Sequence, residues 1–163
     1  MHIFIKNKLL IYGNYKVKCA IGKRGINKKR KEGDLITPKG SFNIKKVLYR
    51  KDRLKGLKTK LKKIVIDKNF GWCDDPKSKK YNQLIKYPFN YSSERLYRND
   101  GIYDIILVLS YNMNPIRKNI GSAIFLHVAQ KNYSHTKGCI AVKKGELKKL
   151  IQLINKKTKV KIV

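Results

Sequence analysis

Cys139 and His127 are the two residues whose types and placement could do nucleophilic chemistry together. His127 lies in one apolar run and Cys139 opens another, and the polar stretch between them ends in Gly138. A turn there is expected to fold the second run back on the first and bring the thiol towards the imidazole. A free thiol, with a pKa of ~8.5, is mostly protonated near neutrality, so it needs a base, a positive field or backbone donors to become a nucleophile. His127 offers the base, and Lys137 with the general basicity of the chain offers the field. A carbonyl attacked by the thiolate would gather negative charge. Backbone N–H groups around Gly138 and Cys139 would hold that charge, such donors being worth about 3 kcal/mol each. Gly138 would also let a substrate approach the backbone closely. Taken singly, Cys139 fits a small buried hydrophobe and His127 a satisfied strand histidine.

The elements that must position this pair read as mainly β. Residues 2–6, 9–12 and 16–21 are β-branched and aromatic segments separated by Asn7-Lys8 and Gly13-Asn14, which predicts a meander with tight turns. Gly22 to Asp34 carries glycines and basic residues without apolar periodicity, so an exposed loop is expected. Thr37-Pro38-Lys39-Gly40 reads as a rigid turn entering a strand at Phe42. The leucines at 54, 57 and 61 fit either a short helix or an irregular connection, and Ile64-Val65-Ile66 a brief strand.

Trp72-Cys73-Asp74-Asp75-Pro76 and Tyr81-Asn82 gather aromatic, acidic and amide groups in a turn-rich region of the kind that lines sites. Trp72 fits a core position equally well. Asp74 and Asp75 could accept from a substrate ammonium, bind a cation or cap a turn. Ser92 to Tyr97 suggests one or two helical turns behind a Ser N-cap. Tyr103 to Tyr111 is apolar enough for a strand buried on both faces. Residues 112–121 form a loop. Leu147, Leu150, Ile151 and Ile154 give Gly145 to Lys156 an amphipathic helical stripe, and Val160 to Val163 is a closing strand.

The 163 residues and 42% hydrophobic content suit one domain with its own core, 1–163. Lys and Arg total 40 against 10 for Asp and Glu, a net charge of +30. Such a field attracts polyanions, nucleic acid or a carboxylate-rich cell-wall polymer among them. The basic residues are spread along the whole chain, Lys far outnumbers Arg, and Ile, Asn and Tyr are plentiful, as AT-rich coding produces. No specific nucleic-acid partner is expected, and a monomer is. Three cysteines, at 19, 73 and 139, are too few and too scattered for a disulfide scaffold or a metal site, so reduced thiols are preferred over a Cys19–Cys73 pair. No metal or cofactor is called for. Lys6 and Lys8 interrupt the apolar run of the first ten residues, which therefore lacks a signal-peptide core, and no run reaches membrane-spanning length. A soluble protein without a visible export signal is the expectation.

Thr37-Pro38-Lys39-Gly40-Ser41-Phe42, then His127, then Thr136-Lys137-Gly138-Cys139 resemble the L,D-transpeptidase catalytic domain (YkuD) family, over roughly Gly22 to Ile154. Trp72-Cys73-Asp74-Asp75-Pro76, Tyr81-Asn82 and His127-Val128-Ala129 look like a compact proteobacterial branch that reads Thr-x-Gly-Cys at the nucleophile. The resemblance implies a mainly β sandwich with peripheral helices, Cys139 as nucleophile and His127 as base. It also implies peptidoglycan stem peptides as substrate, a thioester acyl-enzyme, 3,3 or 1,3 cross-links, and work in the cell envelope or periplasm. Substrate contacts are expected from Thr136, Lys137, Trp72, Asp74, Asp75, Tyr81 and Asn82. Two departures stand out: Lys137 occupies the place of a second His, and Ala141 that of an Arg. His127 is then the sole base, with His135 two residues out of register. Two rival readings are a cysteine hydrolase that trims peptidoglycan and a non-enzymatic basic protein that binds nucleic acid.

Overall fold

The computed structural model describes residues 1–163. In chain order it contains β1 (Ile3–Lys6), β2 (Leu9–Tyr12), β3 (Tyr15–Lys18), β4 (Ile26–Asn27), β5 (Thr37–Pro38), β6 (Gly40–Tyr49), β7 (Lys63–Val65), β8 (Phe70–Cys73) and β9 (Leu84–Lys86). There follow β10 (Ser93–Arg95), β11 (Ile105–Leu109), β12 (Phe125–Val128), β13 (Ile140–Val142), the helix α1 (Lys144–Leu153) and β14 (Lys159–Ile162). The fold is mainly β, a curved sandwich of sheets with one helix.

The opening meander forms because Asn7 and Lys8 both take left-handed backbone angles, φ 50° and 60°, which a two-residue hairpin turn requires. β6 is the spine. Its first residues pair with β14, and the rest, from Ile44 to Tyr49, pair with β11, so the main sheet runs β13-β12-β11-β6-β14-β1-β2-β3. Beyond β3 the chain continues to Ala20, which exchanges backbone hydrogen bonds of 2.7 and 2.9 Å with Ala141 in β13. The far edge of the meander thus covers the edge of the strand that follows Cys139, leaving no open ladder there.

β11 is buried at all five positions, as its apolar run requires. Period-2 alternation divides its side chains between two cores. Ile105, Leu107 and Leu109 face the larger one with α1, whose Leu147, Leu150 and Ile151 form the buried stripe. Ile106 and Val108 face the smaller one, which packs Trp72, Tyr103 and Phe125 beneath a second sheet, β10-β8-β9.

Three local expectations change. Gly22 to Asp34 is no simple exposed loop: Ile26-Asn27 pairs in parallel with Thr37-Pro38, and Lys29 and Asp34 are buried. Ser92 to Tyr97 is not helical. Its Glu94 lies opposite Trp72 in an antiparallel ladder and Leu96 is fully buried, so pairing with β8 overrides the local helix preference. Finally, β13 runs parallel to β12, so residues 129–139 cross over instead of forming a hairpin. Residues 50–63 resolve as an irregular connection whose Leu54, Leu57 and Leu61 plug the larger core. The three cysteines are free. No helix is long and apolar enough to cross a membrane.

Candidate active site

Parallel register puts Leu126 beside Ile140 and His127 beside Ala141. Cys139, one residue before β13, therefore stands next to Phe125, whose N–H approaches its Sγ at 3.4 Å. Alternation sends Leu126, Val128, Ile140 and Val142 into the larger core. His127 and Cys139 are left on the opposite face, where both line a cleft of roughly 730 Å³. The strands bring the pair together by crossing over.

The thiol turn is fixed from behind. Thr136 Oγ1 donates to the Cys139 carbonyl at 2.6 Å and accepts from Gly138 N–H at 3.1 Å. Thr37 Oγ1 accepts from Gly22 N–H at 2.8 Å and reaches the same carbonyl at 3.5 Å. Gly138 has φ +139°, and a Cβ there would lie 2.8 Å from the Ile36 carbonyl. The glycine is thus required by the Ile36 backbone behind it, where closeness to a substrate was expected. Its N–H donates to Thr136 Oγ1 at rest. The Cys139 N–H bonds to no protein acceptor and is the free donor at this point.

In the resting site the thiol donates to the Ala123 carbonyl at 3.0 Å, and no hydrogen bond joins it to His127. Burial pushes the thiol up to about 12; the Phe125 N–H and the charge of Lys29 pull it down, against Glu94. Burial likewise lowers His127 to about 4, opposed by the carbonyls of Val128 and Ile102. Both groups rest neutral. His127 Nδ1 lies 3.0 Å from the Val128 carbonyl, which assigns the proton of the neutral ring to Nδ1 and leaves Nε2 as the basic nitrogen. Tyr103 meets the imidazole edge to face, centroids 5.2 Å apart, and its hydroxyl donates to Glu94 at 2.8 Å.

The remaining sequence candidates divide sharply. Asp74 and Lys137 line the cleft; Trp72, Asp75, Tyr81 and Asn82 do not. Trp72, Tyr81 and Asn82 are instead buried in a bracket. Asn82 Oδ1 accepts from Trp72 Nε1 at 3.1 Å and from Ala123 N–H at 3.0 Å, while its Nδ2 donates to the carbonyls of Tyr111 and Asn112. Tyr81 accepts from Gly121 N–H and donates to Glu32. Together they hold the segment whose Ala123 carbonyl receives the thiol. Asp75 caps a turn at Lys77. Thr136 lines the cleft, but its hydroxyl is committed to the backbone.

Sequence reasoning missed Lys29, Glu94, Tyr103 and Ser122. Lys29 pairs with Asp34 at 2.5 Å, both side chains almost wholly buried, and lies across Gly121, where no Cβ would fit. Burial raises Asp34, but Lys29 and the N–H groups of Arg30, Ile36 and Lys31 outweigh it and hold the carboxyl at about 2. The cation bearing on the thiol is therefore Lys29, whereas Lys137 bears on Glu94. One signal for Glu94 was available: acids are scarce in this chain.

The sequence model of the L,D-transpeptidase catalytic domain family, YkuD, matches residues 1–162. The chain belongs to that family. No curated protein matches it. The YkuD match spans the opening meander as well as Gly22 to Ile154, in keeping with β1 and β14 pairing in one sheet.

Proposed function

We propose that this YkuD domain is a cysteine-dependent L,D-transpeptidase acting on peptidoglycan stem peptides, with Cys139 as nucleophile and His127 as base. The observation that carries this reading is the placement of both residues on one face of adjacent strands, lining a common cleft, with an uncommitted N–H on Cys139.

The neutral resting pair shapes the mechanism. Burial opposes both thiolate and imidazolium, so proton transfer accompanies attack and does not precede it. A donor amide carbonyl displaces the thiol proton from Ala123 towards His127 Nε2. Sγ bonds to the carbonyl carbon, and the oxyanion takes the Cys139 N–H. His127 returns the proton to the departing amine, leaving a thioester. A side-chain amine of a second stem then loses a proton to His127 and attacks the thioester, giving an amide cross-link and restoring the thiol. Water in place of the amine would give the trimmed acid. Attack on the donor after its third residue gives a 3,3 link, and after its first a 1,3 link. The domain works in the cell envelope on this reading, and a fractionation blot with a C-terminal tag locates it.

Incubation with muropeptides, read by product mass, tests the reaction. Joined dimers dependent on Cys139 are expected; released water-derived acid alone would make the protein a hydrolase.

A further inference from the structure

The strongest unassigned feature is the acidic wall opposite the thiol. Among 10 acidic and 40 basic residues, Glu32, Asp74 and Glu94 line the cleft, and none is in an ion pair; of the acids elsewhere, Asp34, Asp52, Asp100 and Asp104 are paired and Asp67, Asp75 and Glu146 are not. Of the cations in the same cleft, Lys29 and Arg98 are already paired with Asp34 and Asp100, and Lys137 is in no ion pair.

Sheet register aims two of these acids. In the β8–β10 ladder Glu94 lies opposite Trp72, and the next residues on that face are Asp74 and Ser92, joined by a 2.6 Å hydrogen bond. Trp72 packs on Phe125 beneath it, so Glu94 and Asp74 point the same way as Trp72, towards the main sheet that carries the thiol. Glu94 lines the cleft; its Oε1 takes the Tyr103 hydroxyl, while Oε2 receives no hydrogen bond from the protein. A second vacancy lies in the same cleft. Ser122, 6% exposed, lines the cavity with an Oγ that has no partner. Burying such groups is costly unless something bonds to them.

We propose that Glu94, seconded by Asp74, is the receptor for a primary ammonium on the stem peptide, with Ser122 Oγ hydrogen-bonding to the same ligand. This deepens the transpeptidase reading and rests on it for the identity of the ligand. Glu94 is a specificity residue here and takes no part in proton transfer. In a chain with a net charge of +30, these carboxylates offset most of the charge of the Lys and Arg side chains that line the same cleft, and direct contact with a carboxylate is what holds a cationic side chain there.

Calorimetric binding to the Cys139→Ala protein tests this without turnover, using a synthetic tetrapeptide stem with a free side-chain amine and its N-acetylated counterpart. Glu94→Gln keeps an acceptor for Tyr103 and removes the charge. It is expected to weaken the amine stem at least tenfold and leave the acetylated stem within twofold, with Glu94→Asp recovering part of the loss. Equal losses on both stems, no loss on either, or a Cys139→Ala protein that binds neither stem would overturn the proposal. Charge-dependent binding by a protein whose thiol never acylates would leave this subsite standing and sink the transpeptidase chemistry. Acylation without any dependence on Glu94 charge would do the reverse.

Discussion

Single residues set the protonation of the site. With the thiol held up by burial and bonded to Ala123, alkylation of Cys139 by iodoacetamide is expected to rise only well above pH 9, with no inflection near neutrality. Lys137→His should leave that profile unchanged, because the charge of Lys137 falls on Glu94; an inflection that moved would return Lys137 to the thiol. His127 carries a stability consequence. Its folded pKa, about 4, lies below the unfolded value of 6.5. Between those limits the unfolded chain binds a proton that the folded chain refuses, so stability is present above pH 6.5 and is lost on acidification. The loss should reach roughly 3 kcal/mol by pH 4, at 1.36 kcal/mol per pKa unit. Urea midpoints at pH 7 and 4.5 should therefore diverge more in the native protein than in His127→Gln; equal divergence would show that another group is responsible.

The elements hold the pair in place, and here the bracket around Asn82 matters most. Asn82→Ala strands the Trp72 indole N–H and the Ala123 N–H in the interior, at about 1–3 kcal/mol for each unsatisfied group. A melting temperature lower by several degrees is expected, together with slower acylation of Cys139, although Asn82 does not line the cleft. An unaltered melting temperature would contradict the bracket. Gly138→Ala should be worse for the chemistry, since the Ile36 carbonyl leaves a Cβ no room.

Much of this scaffold was legible in the sequence. The meander, β11, α1 and β14 announced themselves through local alternation or a helical stripe, and the family resemblance rested on Cys139, His127 and Thr37 to Phe42. What was not legible depends on partners far along the chain. The parallel pairing of β12 with β13 depends on Ala20 and Thr136 bridging to segments over a hundred residues away. β10 is a strand only because β8 lies beside it. Trp72, Tyr81 and Asn82 were rightly singled out as a cluster, but sequence alone does not distinguish a wall of a site from the frame behind it.

At the scale of the whole molecule, the excess of positive charge and the chemistry separate experimentally. A net charge of +30 should give sequence-independent DNA binding that weakens steeply with salt. Acylation of the part-buried thiol in the cleft should persist at salt concentrations that abolish that binding, as partly buried interactions are screened far less. Gel shifts and adduct formation measured across one salt series compare the two directly; if they fell together, the charge would be part of the catalytic function. The family assignment, the sandwich and the cleft converge on one thiol. Intact mass after incubation with a carbapenem tests that convergence most directly: the native protein should gain the mass of one carbapenem and Cys139→Ala should gain none, whereas a native protein without adduct, or a Cys139→Ala protein that forms it equally well, would contradict Cys139 as the nucleophile.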